Sequence, residues 1–132
     1  MTSGIVVDAS VVVDLVLAFG QSTAISERIR GCTLHAPHVI DLEVAHGIRR
    51  NWIAGFIDGA RLDAAVAAAL DLPIIRYSHR PLLPRIMALR ENVTAYDGAY
   101  VALAEVLDLP LITRDRRLAR SSGHSARIEF IE

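Results

Sequence analysis

Short apolar runs alternate with stretches long enough for helices, and this alternation restricts the chain more than any other feature. Gly4–Val7 is β-branched, ends at Asp8 and reads as a buried strand; Thr33–Ala36, stopped by Pro37, reads as a second. Leu72–Tyr77 and Leu109–Thr113 supply a third and a fourth, and Arg127–Ile131 alternates as a last strand. Between them the pattern turns helical. Ser10 is placed to cap a helix from Val11 to about Phe19, and another runs from Ser22 to Arg30. A longer helix carries Val39, Leu42, Val44, Ile48 and Trp52; Asp58–Leu70 is Ala-rich helix, and Pro84–Arg90 lies in another. Thr94 opens the helix Ala95–Leu107, which is apolar nearly all round and therefore predicted to be deeply buried. Strands joined by crossover-length helices predict an α/β fold, with a central parallel sheet of about five strands covered by helices on both faces.

The 132 residues suffice for one compact domain with a real core and are too few for two ordinary ones, so a single domain over 1–132 is expected. Fourteen basic residues against fifteen acidic ones leave a formal charge of −1, so no global basic field attracts nucleic acid. A bound polyanion must be held by local basic patches or by metal ions. Every basic residue is Arg, which removes any mechanism that needs a catalytic Lys. Cys32 is the only cysteine and excludes an internal disulfide or a Cys-based metal cage. The start of the chain, MTSGIVVDAS, has neither a basic leader nor a span long enough for a membrane anchor, so a cytoplasmic protein with no membrane partner is expected. Hydrophobic residues make up 52%, more than so small a domain can bury internally. The surplus points to a partner or self-association surface, the alternative being an Ala-rich, helix-heavy core.

In an open parallel sheet, ligands bind at the carboxyl ends of the strands, where the following helices begin. Four acids fall there: Asp8 after the first strand, Glu43 early in the helix after the second, Asp97 in the first turn of the Thr94 helix, and Asp115 just past the fourth strand. Each has an ordinary explanation taken singly. Asp97 stands three residues after Thr94 as in a capping box, Asp8 and Asp115 suit turns, and Glu43 suits a solvated helix face. Together they are harder to explain that way, because like charges gathered in a partly buried cleft repel unless a cation neutralises them. An all-carboxylate set selects hard ions, Mg²⁺ or Mn²⁺, over Zn²⁺. The chemistry that follows is phosphodiester hydrolysis by an activated water. Ser10 and Thr113, each two residues from an acid, could orient the ligands or simply cap.

The segments VVDASVVVD, PHVIDLEV, TAYDGAYVALAE and LPLITRDRRLAR resemble, in order and interval, the four signature segments of PIN-domain nucleases. The likeness is greatest to the VapC toxins of bacterial toxin–antitoxin pairs and covers essentially the whole chain. The resemblance implies a PIN-like three-layer sandwich and a divalent-metal-dependent endoribonuclease with Asp8, Glu43, Asp97 and Asp115 as ligands. It also implies a homodimer that a small antitoxin silences in a larger complex. Glu43, not Asp41, matches the second acid. Gly98 stands where the family usually has Ala, and Arg114 where an apolar residue is common; neither change removes a ligand.

Other features admit two readings. Arg114, Arg116, Arg117 and Arg120 flank Asp115 and could grip RNA phosphates, or form a solvated helix. His46 near Glu43 could touch substrate or sit on the surface, and Arg49 and Arg50 are weaker candidates of the same kind. Trp52, Ile53 and Phe56 are a partner contact or core. Cys32, His35 and His38 invite a zinc reading, but they span a strand and Pro37 and have no fourth ligand nearby. An aspartyl-phosphate phosphatase would want Asp–x–Asp, where Ala9–Ser10 follows Asp8, and a phospho-receiver domain would need a Lys. An RNA-maturation nuclease of the same family remains compatible, although the absence of an appended RNA-binding module favours a toxin. A catalytically silent binding module would be expected to have lost an acid, and all four are present.

Overall fold

A computed structural model describes residues 3–17 and 22–132. The strands β1 (Ser3–Val7), β2 (Cys32–Pro37), β3 (Ile74–Tyr77), β4 (Leu111–Thr113) and β5 (Ile128–Phe130) form one sheet, all parallel, in the order β3-β2-β1-β4-β5. The helices are α1 (Ala9–Leu17), α2 (Ser22–Ile29), α3 (Ile40–Ile53), α4 (Gly59–Asp71), α5 (Leu83–Ala88), α6 (Ala95–Leu107) and α7 (Arg116–Ala119). A 3₁₀ turn, Arg80–Leu82, leads into α5. This is the three-layer α/β arrangement that the alternation predicted.

Burial explains why such short strands hold. Ile5, Val6 and Val7 are fully buried, as in a strand covered on both faces, where an alternating pattern would leave apolar groups wet. On one side α1, α3 and α4 pack on one another; α6 lies over β1, β2 and β4, with α5 against it. From Gly98 to Ala104 every residue of α6 is buried, as its all-round apolar character required. Asp108 ends the helix in the left-handed conformation, which turns the chain toward β4.

Boundaries shift for local reasons. The first helix starts at Ala9 and not Val11, because Asp8 is its cap: the Val11 N–H donates to Asp8 Oδ1 at 3.3 Å, and Ser10 lies inside the helix. Its proposed end near Phe19 falls outside the described residues. The third strand begins at Ile74, since Leu72 still closes α4 through its N–H to the Ala69 carbonyl. Asp58 caps α4, accepting from the Arg61 N–H at 2.8 Å. Among the described residues no helix is long and apolar enough to cross a membrane.

The apolar surplus is divided. Most of it is core, but Leu42, Trp52, Ile53, Phe56, Leu70, Met87 and Val106 remain half-exposed or more. α1 and α3 approach closely at Gly47, where an added Cβ would stand 2.7 Å from Val13 Cγ2. Val13 is stiff at χ1 and cannot easily turn away. Gly47→Ala should therefore lower stability by about 1 kcal/mol, since overpacking of about 1–3 kcal/mol outweighs, on average, the helix-propensity gain of about 1. Urea midpoints measure this. Val13→Ala in the same chain should recover part of the loss, and strictly additive effects would contradict the contact.

Candidate active site

The order of the strands locates the site. Crossovers leave β1 toward β2 but leave β4 toward β5, so the chain reverses direction between β1 and β4, and a crevice opens at their carboxyl ends. The register pairs Val7 with Ile112, which sets the next residues, Asp8 and Thr113, side by side. A cleft of about 810 Å³ opens there and is lined by Asp8, Glu43, Asp97 and Asp115 together. Four acids from four different segments thus share one cavity.

Asp8 is only 6% exposed, and its carboxylate is caged. Ser10 Oγ donates to Oδ1 at 2.6 Å, the Val11 N–H donates to the same oxygen, and the Thr113 hydroxyl donates to Oδ2. Each hydroxyl is held in turn: the Arg114 N–H donates to Ser10 Oγ at 3.0 Å and the Asp115 N–H to Thr113 Oγ1 at 2.9 Å. Ser10 and Thr113 therefore tie the end of β4 to the end of β1 through one acid. Burial pushes the Asp8 carboxyl up to about 6, the three hydrogen bonds oppose this, and the negative charge of Asp97 adds to it.

Glu43 is placed by the first turn of α3, and Tyr100 donates its hydroxyl proton to Oε1 at 2.6 Å. Burial, then the nearby Asp97 charge, raise the Glu43 pKa, while the Tyr100 hydrogen bond lowers it. Asp97 follows its cap Thr94, whose hydroxyl accepts from the Asp97 N–H at 3.1 Å. The capping interaction thus uses the Asp97 backbone and leaves its carboxylate free for the cleft. Asp115 caps α7, accepting from the Arg117 and Leu118 N–H groups. The Arg117 guanidinium spans the two acids, 2.9 Å from Asp97 Oδ2 and 3.4 Å from Asp115 Oδ2. Among the described residues no three acids, histidines or cysteines stand at metal-ligand spacing as the side chains lie. The donor set is nonetheless all carboxylate oxygen, Asp8 and Glu43 carry pKa values raised by burial and then by the Asp97 charge, and among the described residues Asp97 and Asp115 are met by a cation, Arg117. Such a set fits a hard divalent ion.

The basic residues separate. Arg114 lines the cleft and pairs with Asp14 at 2.7 Å, with its Nε buried and unpartnered. Arg116 instead pairs with Glu132 and lies over the Phe130 ring, 4.4 Å from its centroid; neither it nor Arg117 is among the residues lining the cleft, which Arg117 meets only through Asp97 and Asp115. His46 and Arg50 line it along α3; Cys32 contacts Arg28, and His35 lies between Thr33 and Tyr77. Two participants escaped the sequence reading. Tyr100 stands three residues after Asp97, on one helix face, so spacing could have found it. Asp14 stands four after Ser10 on α1, but its partner is a hundred residues away, which spacing cannot reveal.

A family model described as PIN domain matches residues 5–123, and the chain belongs to that family. Its relatives within it carry a more particular name. Ribonuclease VapC12 of Mycobacterium tuberculosis is 44% identical over 127 residues, 96% of this chain and 98% of that one. Ribonuclease VapC1 of the same organism is 40% identical over 96% of each chain. The crystal structure of VapBC2 from Rickettsia felis, bound to a DNA fragment from their promoter, superposes with a TM-score of 0.69 over 98% of this chain and 99% of that one. At 12% identity that likeness establishes the fold.

The buried acid has a consequence for stability. A carboxyl whose pKa is raised on folding binds its proton more tightly in the native state, so stability rises as pH falls through the folded value. In chelator, the protein should gain about 1 kcal/mol from Asp8 between pH 7 and pH 5, with Glu43 acting in the same direction. Glu105 sets the lower end of this window. Arg85 and Ser125 hold its carboxyl down to about 2, so its contribution is present above its ordinary value and lost below it. Urea midpoints between pH 5 and 7 test this. Asp8→Asn should flatten the slope, and a wild-type stability that climbs with pH regardless of that substitution would contradict it.

Proposed function

We propose that this chain is a divalent-metal-dependent endoribonuclease of the VapC kind, with Asp8, Glu43, Asp97 and Asp115 holding Mg²⁺ or Mn²⁺. The observation that carries the reading is the convergence of these four acids on one cleft at the β1–β4 reversal. The relatives named ribonucleases support RNA as the substrate. When bound, the ion supplies a more acidic water and neutralises charge at the phosphate.

The chain's own groups do the rest. Ser10 and Thr113 fix the orientation of Asp8, so it need not reorganise when an ion arrives. Tyr100 aims Glu43. Arg117 stands where it can exchange the acids for a substrate phosphate, and Arg114 offers a second cation at the cleft wall. Water adds to phosphorus, the 3′-oxygen leaves and takes up a proton, and the products carry 5′-phosphate and 3′-hydroxyl ends. The exposed apolar helix faces fit a homodimer and a small antitoxin. The proposed setting is the cytoplasm.

Purified protein free of partners should cleave RNA when Mg²⁺ or Mn²⁺ is added and stop in EDTA. Asp97→Asn should cost several orders of magnitude in rate and weaken the stabilisation by added Mg²⁺, which follows site occupancy. End-group analysis distinguishes mechanisms: a 2′,3′-cyclic phosphate, or cleavage that persists in chelator, would refute the metal–water route. Expression alone should arrest growth, and co-expression with the cognate antitoxin should relieve the arrest.

A further inference from the structure

The cleft is larger than an ion and one phosphate require, and its walls differ in character. Along α3, Glu43, His46 and Arg50 follow at intervals of three and four, so one helix face carries them into the cavity, with Asn51 beside Arg50. At the helical rise, Arg50 lies about 10 Å along the axis from Glu43. Arg114 and Arg117 are engaged by Asp14, Asp97 and Asp115, whereas Arg50 makes no ion pair among the described residues. The wall thus runs from acids to a free cation across roughly the length of a nucleotide or two.

The rim is apolar. Leu42 and Tyr96 are the chain neighbours of Glu43 and Asp97; they are 74% and 62% exposed, and both line this cleft. A ring and an isobutyl group left in water beside the acids are poor for stability and well suited to the face of a base. Bases are read in this way, between aromatic and apolar side chains, only once they are out of a helical stack.

We propose that the α3 wall and the Leu42–Tyr96 rim form a track for an unpaired RNA strand: Arg50 takes a phosphate flanking the scissile one, and Tyr96 stacks on the adjoining base. This inference rests on the ribonuclease reading for its ligand. Tyr96 then selects for unpaired structure around the cut, because a base inside a duplex presents only its edges.

The test uses Asp8→Asn protein, or Asp97→Asn if the former folds poorly, to hold RNA without turnover. Fluorescence anisotropy of a labelled unpaired oligonucleotide, and of the same strand paired with its complement, gives the affinities. The unpaired strand should bind more tightly. Tyr96→Leu should weaken it about tenfold, the scale of one base–aromatic stack, and Tyr96→Phe should restore it. Arg50→Gln should weaken binding and reduce the salt-dependence slope by about one. Arg49→Gln, on the neighbouring residue outside the cleft lining, should change neither. Equal affinity for the duplex, or no loss in Tyr96→Leu, would overturn the track; the latter result would assign the rim to a protein partner. Failure of the two readings is separable. A wild-type protein that leaves RNA intact in Mg²⁺ and Mn²⁺ while the binding series still orders as above sinks the hydrolase and keeps the track. Cleavage with unchanged KM in Tyr96→Leu and Arg50→Gln does the reverse.

Discussion

One desolvated carboxylate organises this molecule. Asp8 lies at the end of the central strand, nearly out of contact with water, and ionising it there is unfavourable. The fold accepts that cost because the acid stitches three things together: it caps α1, it receives Ser10, and it receives Thr113 from the neighbouring strand. Remove the acid, and the Ser10 hydroxyl loses an acceptor at the cleft wall and the Thr113 hydroxyl loses one in a fully buried place. An acid of the cleft is thus also the joint between β1 and β4, so site and scaffold share a residue.

A similar economy governs α6. Its middle is built of Ala99, Val101, Ala102 and Ala104, small enough to bring the helix close over the sheet. Its first turn, still at the surface, carries Asp97, and one turn further in Tyr100 reaches from the core to hold Glu43 on another helix. Two acids that repel one another are therefore fixed from a common rigid element. The remaining two, Asp8 and Asp115, are fixed by capping the helices that follow their strands. Asp8, Asp97 and Asp115 are positioned at the ends of apolar segments and Glu43 by Tyr100 from the core, so no loop has to hold a functional group by itself.

This explains what was legible in the sequence. Strand runs followed by an acid, and a helix opening Thr–x–x–Asp, mark the carboxyl edge of a parallel sheet directly, so fold class and the positions of Asp8, Asp97 and Asp115 could be read from local pattern, whereas the choice of Glu43 over Asp41 came from the family resemblance. Contacts that close over long separations could not. Nothing local to Asp14 announces Arg114, and nothing in the run Arg114–Arg117 says that Arg116 turns away to Phe130 and Glu132 while Arg117 turns toward the acids. Ser10 was legible as a polar residue at a helix start, yet its role passed to Asp8 because the helix begins one turn-fraction earlier. Propensity sets the existence of an element; the sheet register decides which side chain faces which.

The sheet's two outer strands, β3 and β5, have four and three residues. A flank that short presents very few open N–H and C=O groups, so an added β-ribbon would find little backbone to grip. Growth by strand augmentation is thereby discouraged at both flanks. Among the described residues most of the oily side chains left in solvent lie elsewhere, on or just beyond helices, such as Leu42 and Ile53 on α3, Phe56 after it, Leu70 on α4, Met87 on α5 and Val106 on α6; Ile75 on β3 is the exception. The architecture therefore directs association toward side-chain recognition across helical surfaces, where partner choice is encoded by shape and sequence, and away from the indiscriminate main-chain pairing that seeds fibrils.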